Sequence, residues 1–430
     1  MSDDPVGDSA SRSTGTGSTS VGGSAVEPLR RVLIWTLATL TASAVLQIAL
    51  YRHGGAEALS DIPGRLSVWN LSPHHLPYID AHIEYPVVVG YVAFLLSVLT
   101  PSHGWTFLAN CTFNVVLAMT MTVLLRVHGQ KQIWRWVLGT PLLFFAFHNW
   151  DLWAMVPAVI GILAYRRHND RIAGTALAIG ASTKLFPGLF LAPLIVMRWC
   201  SGDRRGATRL LGWGCITTIV LNGPIALVSP SGWLYPVRFQ GRRDASWGTL
   251  WYWLESVPGV RSITASGPAA LANKVSIVAL GLGLLFVTVL AVRRKLGVVA
   301  VCASVTAVFL LSNKIYSPTY DLWMVPFFVL LPLPRRIWVA YCAADFGIFV
   351  IVFGRFHGLW DDQVVLDVLW IFVLVRAATL LSVVSRSLQP GRDENHVQRR
   401  ATPSTPSAPD GSPDSGSVWD DVAASTGGSS

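Results

Sequence analysis

Residues 59–91 read LSDIPGRLSVWNLSPHHLPYIDAHIEYPVVVGY, and the threading of the whole chain turns on this stretch. It sets Asp61, the His74-His75 pair, Asp80 and Glu84 in a loop between two strongly apolar segments. Carboxylates are costly to bring near lipid, so a loop that keeps several of them beside apolar runs points to a use for them.

The apolar segment that closes the stretch, 86–99, decides the topology. Counted as a full span, it puts every later basic cluster on the outer side: Arg126/Lys131/Arg135, Arg166/Arg167/Arg171, Arg198/Arg204/Arg205/Arg209, Arg293/Arg294/Lys295 and Arg335/Arg336. At 1.5 Å per residue it reaches only roughly 21 Å, short of the ~30 Å hydrocarbon core. Taken instead as a helix that stays in the outer leaflet, it turns all five clusters inward, as the positive-inside rule requires. The alternate loops then hold Lys184, Arg238, Arg242, Arg243, Arg261, Lys274, Lys314 and Arg355.

On that threading the first span is 32–50, preceded by Arg30 and Arg31 on the cytoplasmic side. The others are 105–125, 136–147, 152–165, 172–183, 185–197, 210–228, 275–292, 297–312, 322–334, 337–353 and 364–382. The expected fold is an all-α polytopic membrane protein of about 12 transmembrane helices, with juxtamembrane helices in the first external loop. It places a membrane domain over 29–388 between disordered cytoplasmic tails at 1–28 and 389–430, both rich in Ser, Gly and other polar residues. The segments at 136–147, 152–165 and 172–197 are short enough to include broken helices lining a cavity.

Composition agrees with this class. The chain has 430 residues, 52% hydrophobic and 13% charged, against roughly 25% charged in soluble domains. Its net charge of +9 comes largely from short clusters between apolar runs, which orients a membrane protein and gives no reason to expect nucleic acid. Cys111, Cys200, Cys215, Cys302 and Cys342 have no paired spacing, so neither a disulfide framework nor a zinc site is indicated. The 18 tryptophans suit interfacial belts and, in external loops, stacking on sugars.

The polar features outside the tails collect on the external face. Asp61 stands where a helix starting near Pro63 takes its cap, a role that leaves the carboxylate usable as a base. Asp80 and Glu84, four apart, share a face if helical and are otherwise a solvated loop pair. His74 and His75 have no third ligand spaced to form a metal site with them. Asp151, beside Trp150 at a span end, suits capping or catalytic support. Lys184 lies between two apolar runs, so it either meets an anion such as a lipid phosphate or snorkels to the interface.

The 229–274 loop offers Arg242 and Arg243, whose guanidinium forks suit phosphate oxygens, together with Arg238. Trp247, Trp251, Tyr252 and Trp253 offer aromatic faces there, and the same loop also reads as an interfacial amphipathic helix. Lys314 with Tyr316, Tyr320 and Asp321 makes a second dense polar cluster at a span end. His357 is a candidate acid or base, and equally a structural histidine.

Ser60-Asp61-Ile62, then Pro77-Tyr78 with Asp80, then Glu84-Tyr85-Pro86-Val87 and Gly90 resemble the first external loop of actinobacterial glycosyltransferase family 87 proteins. The resemblance continues at Asn149-Trp150-Asp151, at Lys184-Leu185-Phe186-Pro187, at Trp247-Gly248-Thr249-Leu250-Trp251, and at Asn313-Lys314 through Ser317-Pro318 to Tyr320. It covers about 30–385, and the order of the short motifs carries it.

The resemblance implies the GT-C superfamily, whose members are polytopic, take a sugar from a polyprenyl-phosphate donor and act outside the membrane. Their first external loop carries juxtamembrane helices and an essential acid. On that footing Asp61 corresponds to the loop base, Asp151 to the second external acid and Lys184 to the lysine of the Lys-x-x-Pro pattern. The family includes mannosyl- and arabinofuranosyltransferases of cell-envelope glycans, so mannose is the first expectation and arabinofuranose the next. A departure is the short C-terminal tail, which carries no appended sugar-binding domain.

The expected partners are the lipid bilayer, a polyprenyl-phosphate-linked sugar donor and a glycolipid or glycan acceptor. No cofactor is required by a phosphate leaving group with several cations nearby. A divalent metal stays open, because the Asp361-Asp362 pair is available. The rival function is a polytopic transporter or flippase of a lipid-linked sugar. Such proteins place binding residues near midplane in broken helices, often within inverted repeats, whereas here the ionisable residues crowd one face and no repeat is visible.

Overall fold

Apolar runs punctuated by prolines, glycines and capping side chains fold here into helices. The computed structural model describes residues 28–54, 60–129, 132–255 and 271–389. Among them there is no strand, only isolated bridges pairing Ser72 with His75 and Pro77 with Ala81. The tails expected at 1–28 and 389–430 lie almost wholly outside the described residues, as do Lys131 and Arg261. What is described belongs to one compact unit, Met1–Arg392.

Several helices begin where the sequence supplies a cap. Ser60 accepts from the Ile62 N–H at the start of Asp61–Trp69, Asn169 caps Asp170–Ala181, Asp203 caps Arg204–Val228 and Asp361 caps Asp362–Ser387. Each side-chain oxygen satisfies one of the N–H groups that a helix start leaves without a partner.

Among the described residues six helices are long and apolar enough to cross a membrane: Leu29–Leu50, His103–His128, Arg204–Val228, Ala272–Arg294, Arg335–Phe356 and Asp362–Ser387. All six leave large apolar side chains uncovered, such as Ile34 and Leu37, Leu108 and Val116, Ile219 and Val220, Ile277 and Phe286, Val339 and Phe346, and Leu374 and Leu381. Bare helix faces of that kind suit lipid rather than water.

The remaining segments expected as spans are shorter. The 136–147 segment is two pieces, Trp134–Val137 and Thr140–Phe145, broken at Gly139, and 185–197 opens as a 3-10 turn, Phe186–Phe190, before Leu191–Cys200. Pro141 and Pro187 stand at the first or second position of these pieces, where a missing N–H does no harm. Asp151–Arg166, Val298–Ser312 and Asp321–Leu330 are also short, and nearly every side chain on them is buried. They form the centre of the bundle, with the longer helices around them.

The bundle has two distinct ends. At one, Arg198 bonds Asp170 and the Tyr165 carbonyl, Arg167 meets His128, and Arg135 donates to the Phe328 and Leu333 carbonyls. At the other lie Asp61, Asn149, Asp151 and Lys184. The Val87–Leu99 helix starts at that second end, its Val88 N–H bonding the Ser182 carbonyl. It finishes there too. Thr100 bonds Thr106, one turn before the Asn110 that holds Trp150. The next helix, His103–His128, then runs the length of the bundle to Arg167.

Close backbone contacts lock the 70–86 loop in place. Tyr78, at φ 66, reaches the Tyr85 and Pro86 carbonyls with its hydroxyl and accepts from the Gly90 N–H. A Cβ on Gly90 would come within 2.3 Å of the Tyr78 ring, and one on Gly232 within 1.7 Å of the Tyr78 carbonyl oxygen. Ser229 bonds that same carbonyl, so the loop is fastened to the Pro230–Arg242 helix.

Candidate functional site

Asp61 opens the Asp61–Trp69 helix, and the Phe147–Asp151 segment fixes it there. Its own N–H donates to the His148 carbonyl, while Ser60 Oγ bonds the Phe147 and His148 carbonyls. Asn149 Nδ2 donates to Asp61 Oδ2 at 2.8 Å and to the Tyr85 hydroxyl at 3.0 Å. The Trp150 N–H donates to Asn149 Oδ1 at 2.6 Å, which turns the amide so that its NH2 faces Asp61. Asp61 Oδ1 has no hydrogen bond among the described residues, and the side chain is half-buried. The result is an oriented carboxylate with one oxygen free.

Aromatic packing builds the floor beneath it. Trp69 stacks on Trp150 at 5.2 Å between centroids, and Tyr85 meets both rings edge-on. The indole N–H groups are matched: Trp150 donates to Asn110, Trp153 to Asn114 and Trp69 to Glu84.

Next to this floor sits a buried ion pair. Lys184 Nζ is 2.6 Å from Asp151 Oδ1, which also accepts from Trp323 Nε1 at 2.7 Å. Three rings surround the ammonium, those of Tyr320, Tyr85 and Trp323, at 5.4, 5.7 and 5.8 Å. Trp323 is itself sandwiched between Phe186 at 4.1 Å and Tyr320 at 4.0 Å.

The tyrosines report the local field. Burial pushes the Tyr85 phenol well above its ordinary range, and the charge of Asp61 adds to it. Tyr320 is pushed up chiefly by burial; Arg243 opposes this, while Asp151 and Asp61 reinforce it. Asp61, Asp151 and Arg243 therefore all act on one ring, although they come from three distant parts of the sequence.

Lys314 serves this arrangement indirectly. Its buried ammonium donates to the carbonyls of Gly241, at 3.4 Å, and Arg243, and Asn273 donates to the Gly241 carbonyl at 2.9 Å. These donors close the C-terminal end of the Pro230–Arg242 helix, where carbonyls lack partners. Arg242 and Arg243 are thereby presented exposed, with Arg243 over the Phe239 ring at 5.8 Å.

Tyr316 belongs to a neighbouring buried network. It donates to Asp321 Oδ1 at 2.6 Å, Tyr341 donates to the same oxygen at 2.8 Å, and Arg376 binds Oδ2 at 3.0 Å. Arg376 also lies 3.7 Å over the Tyr316 ring and donates to the Gly248 carbonyl, fastening the 244–249 turn to the bundle. Asp345, one turn after Tyr341 on its helix, is fully buried nearby. Neither Arg376 nor Asp345 stands out in the motifs. The available signal is a charged residue inside an apolar run, which calls for a partner.

Other candidates have local partners. Glu84 is buried against Arg65 at 2.7 Å and Trp69 at 3.1 Å. Asp80 is exposed and accepts from the Leu76 N–H at 2.8 Å, in a turn where it shares no helical face with Glu84. Trp247 stacks on Phe356 at 5.9 Å, beside the half-buried His357. Nothing among the described residues ties Asp80, Trp247 or His357 to Asp61. Asp361 caps its own helix and Asp362 pairs with Arg355. Among the described residues no three His, Cys, Asp or Glu side chains converge. No protein-family model and no curated protein matches this chain.

Proposed function

We propose that this is a multi-pass membrane glycosyltransferase, with both termini cytoplasmic and about 12 crossings counting the shorter apolar segments. It transfers a sugar, mannose first and arabinofuranose next, from a polyprenyl-phosphate donor to a cell-envelope glycolipid or glycan on the external face. The observation that carries this reading is the half-buried Asp61 carboxylate, oriented by Asn149 and left, among the described residues, with a free oxygen beside aromatic rings. The Val87–Leu99 helix supports it as well, because both its ends lie toward the Asp61 end while Arg135, Arg167 and Arg198 lie at the other.

In the reaction the acceptor hydroxyl gives its proton to Asp61 while its oxygen bonds the anomeric carbon. The bond from that carbon to the phosphate oxygen breaks, and the electron pair leaves with the polyprenyl phosphate. Arg242 and Arg243 stabilise the charge that develops there. A positioned base contributes typically 10²–10⁴-fold, so Asp61→Asn lowers turnover by about that factor in folded protein. The assay incubates purified protein with radiolabelled polyprenyl-phosphate sugar and membrane acceptors. Wild-type turnover in Asp61→Asn removes Asp61 from the reaction. Movement of donor across the bilayer without transfer favours a flippase.

A further inference from the structure

Asp151 is only 1% exposed, and its Oδ1 already accepts from Lys184 and Trp323. Its Oδ2 is buried without a hydrogen-bond partner among the described residues. Lys184 is in the complementary position. An ammonium carries three N–H donors, and the structure gives this one a single hydrogen-bond partner among the described residues, Asp151 Oδ1. An orphaned acceptor on a buried carboxylate is expensive and calls for a bound water, ion or ligand group.

The charge of the pair sums to zero, so it has little to offer a phosphate. What it leaves unused is one strong acceptor and two donors, set side by side among the rings of Tyr85, Tyr320 and Trp323. That is the complement of a sugar ring: one hydroxyl donates to the carboxylate, a neighbouring one accepts from the ammonium, and the C–H faces lie against the rings. Asn149, two residues before Asp151, holds the carboxylate of Asp61, so the two acids are placed by one turn.

We infer that Asp151 Oδ2 and Lys184 Nζ form a hydroxyl-recognition subsite for the sugar of the polyprenyl-phosphate donor, walled by Tyr85 and Tyr320. The phosphate is left to the arginines. This rests on the glycosyl-transfer reading and deepens it. It gives Lys184 a different ligand from the phosphate that its position between apolar runs first suggests.

The test uses the full-length protein in detergent or nanodiscs, the polyprenyl-phosphate sugar it transfers, and analogues of that donor each lacking one ring hydroxyl. In the wild type, at least one deoxy donor falls in kcat/KM by roughly 10- to 100-fold, the effect of leaving a charged partner unmatched. In Asp151→Asn the same deoxy donor and its parent converge to within a few-fold. Equal rates for all deoxy donors in the wild type overturn the assignment and leave the orphaned oxygen to a bound water. Undiminished discrimination in Asp151→Asn overturns it too, since the hydroxyl is then read elsewhere. If Asp151→Asn does not fold, Lys184→Gln gives the same comparison from the other partner. Failure to transfer from any polyprenyl-phosphate sugar sinks the glycosyl-transfer reading itself and takes the subsite with it.

Discussion

Cutting Asn149 back to alanine removes the side chain that, among the described residues, tells Asp61 where to point. The amide donates to Asp61 Oδ2 at 2.8 Å and to Tyr85 at 3.0 Å, while its own oxygen is held by the Trp150 N–H. A hydrogen bond to a charged group is worth about 1.5–3 kcal/mol. Asp61 is half-buried rather than enclosed, so we take the lower half of that range, which corresponds to a loss of roughly 10- to 45-fold. If the bond acts by aiming the base, the loss falls on kcat and the donor KM stays within about twofold.

The discriminating measurement is a cycle with Asp61→Asn in the radiolabelled transfer assay. With the carboxylate gone, Asn149→Ala loses no base to aim and gives up only its bond to Tyr85, so the double variant is no slower than Asp61→Asn alone by more than about twofold. Asn149→Asp, which puts a second carboxylate against Asp61, is at least as slow as the alanine variant. Full additivity in the cycle would refute the reasoning, because Asn149 would then contribute through the fold and not through Asp61.

Three further outcomes follow from other contacts. Gly232→Ala drives a methyl to 1.7 Å from the Tyr78 carbonyl oxygen, a backbone atom that cannot swing aside; we expect a loss of about 1–3 kcal/mol, read as a lower melting temperature in detergent. Arg376→Met leaves Asp321 buried with no cation, where removing one partner of such a pair costs about 3–5 kcal/mol; a variant as stable as wild type would mean the pair is not formed. Lys314→Met takes the ammonium from the Arg243 carbonyl, leaves the Gly241 carbonyl to Asn273, and loosens the arginines at the helix end. With the arginines no longer held where the leaving phosphate gains charge, kcat and kcat/KM fall together by roughly 10-fold in the transfer assay while donor KM stays within about twofold, the pattern of an interaction made in the transition state.

Much of the fold is legible in the residues. Apolar runs and prolines mark most of the helices, but the cap expected of Asp61 near Pro63 is supplied by Ser60, so that Asp61 is the first helical residue and its carboxylate is left to Asn149. The shortness of 86–99 and the sign of the loops around it lead to the expectation of a non-spanning helix; Val87–Leu99 is 13 residues long, with hydrogen bonds to Ser182 before it and from Thr100 to Thr106 after it. The partners of individual charges are less legible. Asp80 and Glu84 look equivalent in sequence, yet one closes an exposed turn and the other is buried on Arg65 and Trp69. Local spacing does not separate them, because the difference lies in which rings happen to pack above.

The Lys184–Asp151 pair lies between these extremes, and a simple length argument explains it. Asp151–Arg166 has 16 residues and Asp170–Ala181 has 12, so at 1.5 Å per residue they run about 24 Å and 18 Å. A turn as short as 167–169 makes such helices antiparallel neighbours, and the start of the first then lies near the end of the second. The second falls short by about 6 Å, and the 182–184 break supplies that length before Pro187 starts a new piece. Lys184 thus comes level with Asp151 by hairpin arithmetic alone. The Asp321–Arg376 pair has no such shortcut: its partners stand 55 positions apart on Asp321–Leu330 and Asp362–Ser387, with the long Arg335–Phe356 helix between them. A buried charge in an apolar run announces that a partner exists, but only when one short turn separates two helices does the sequence also say which residue it is.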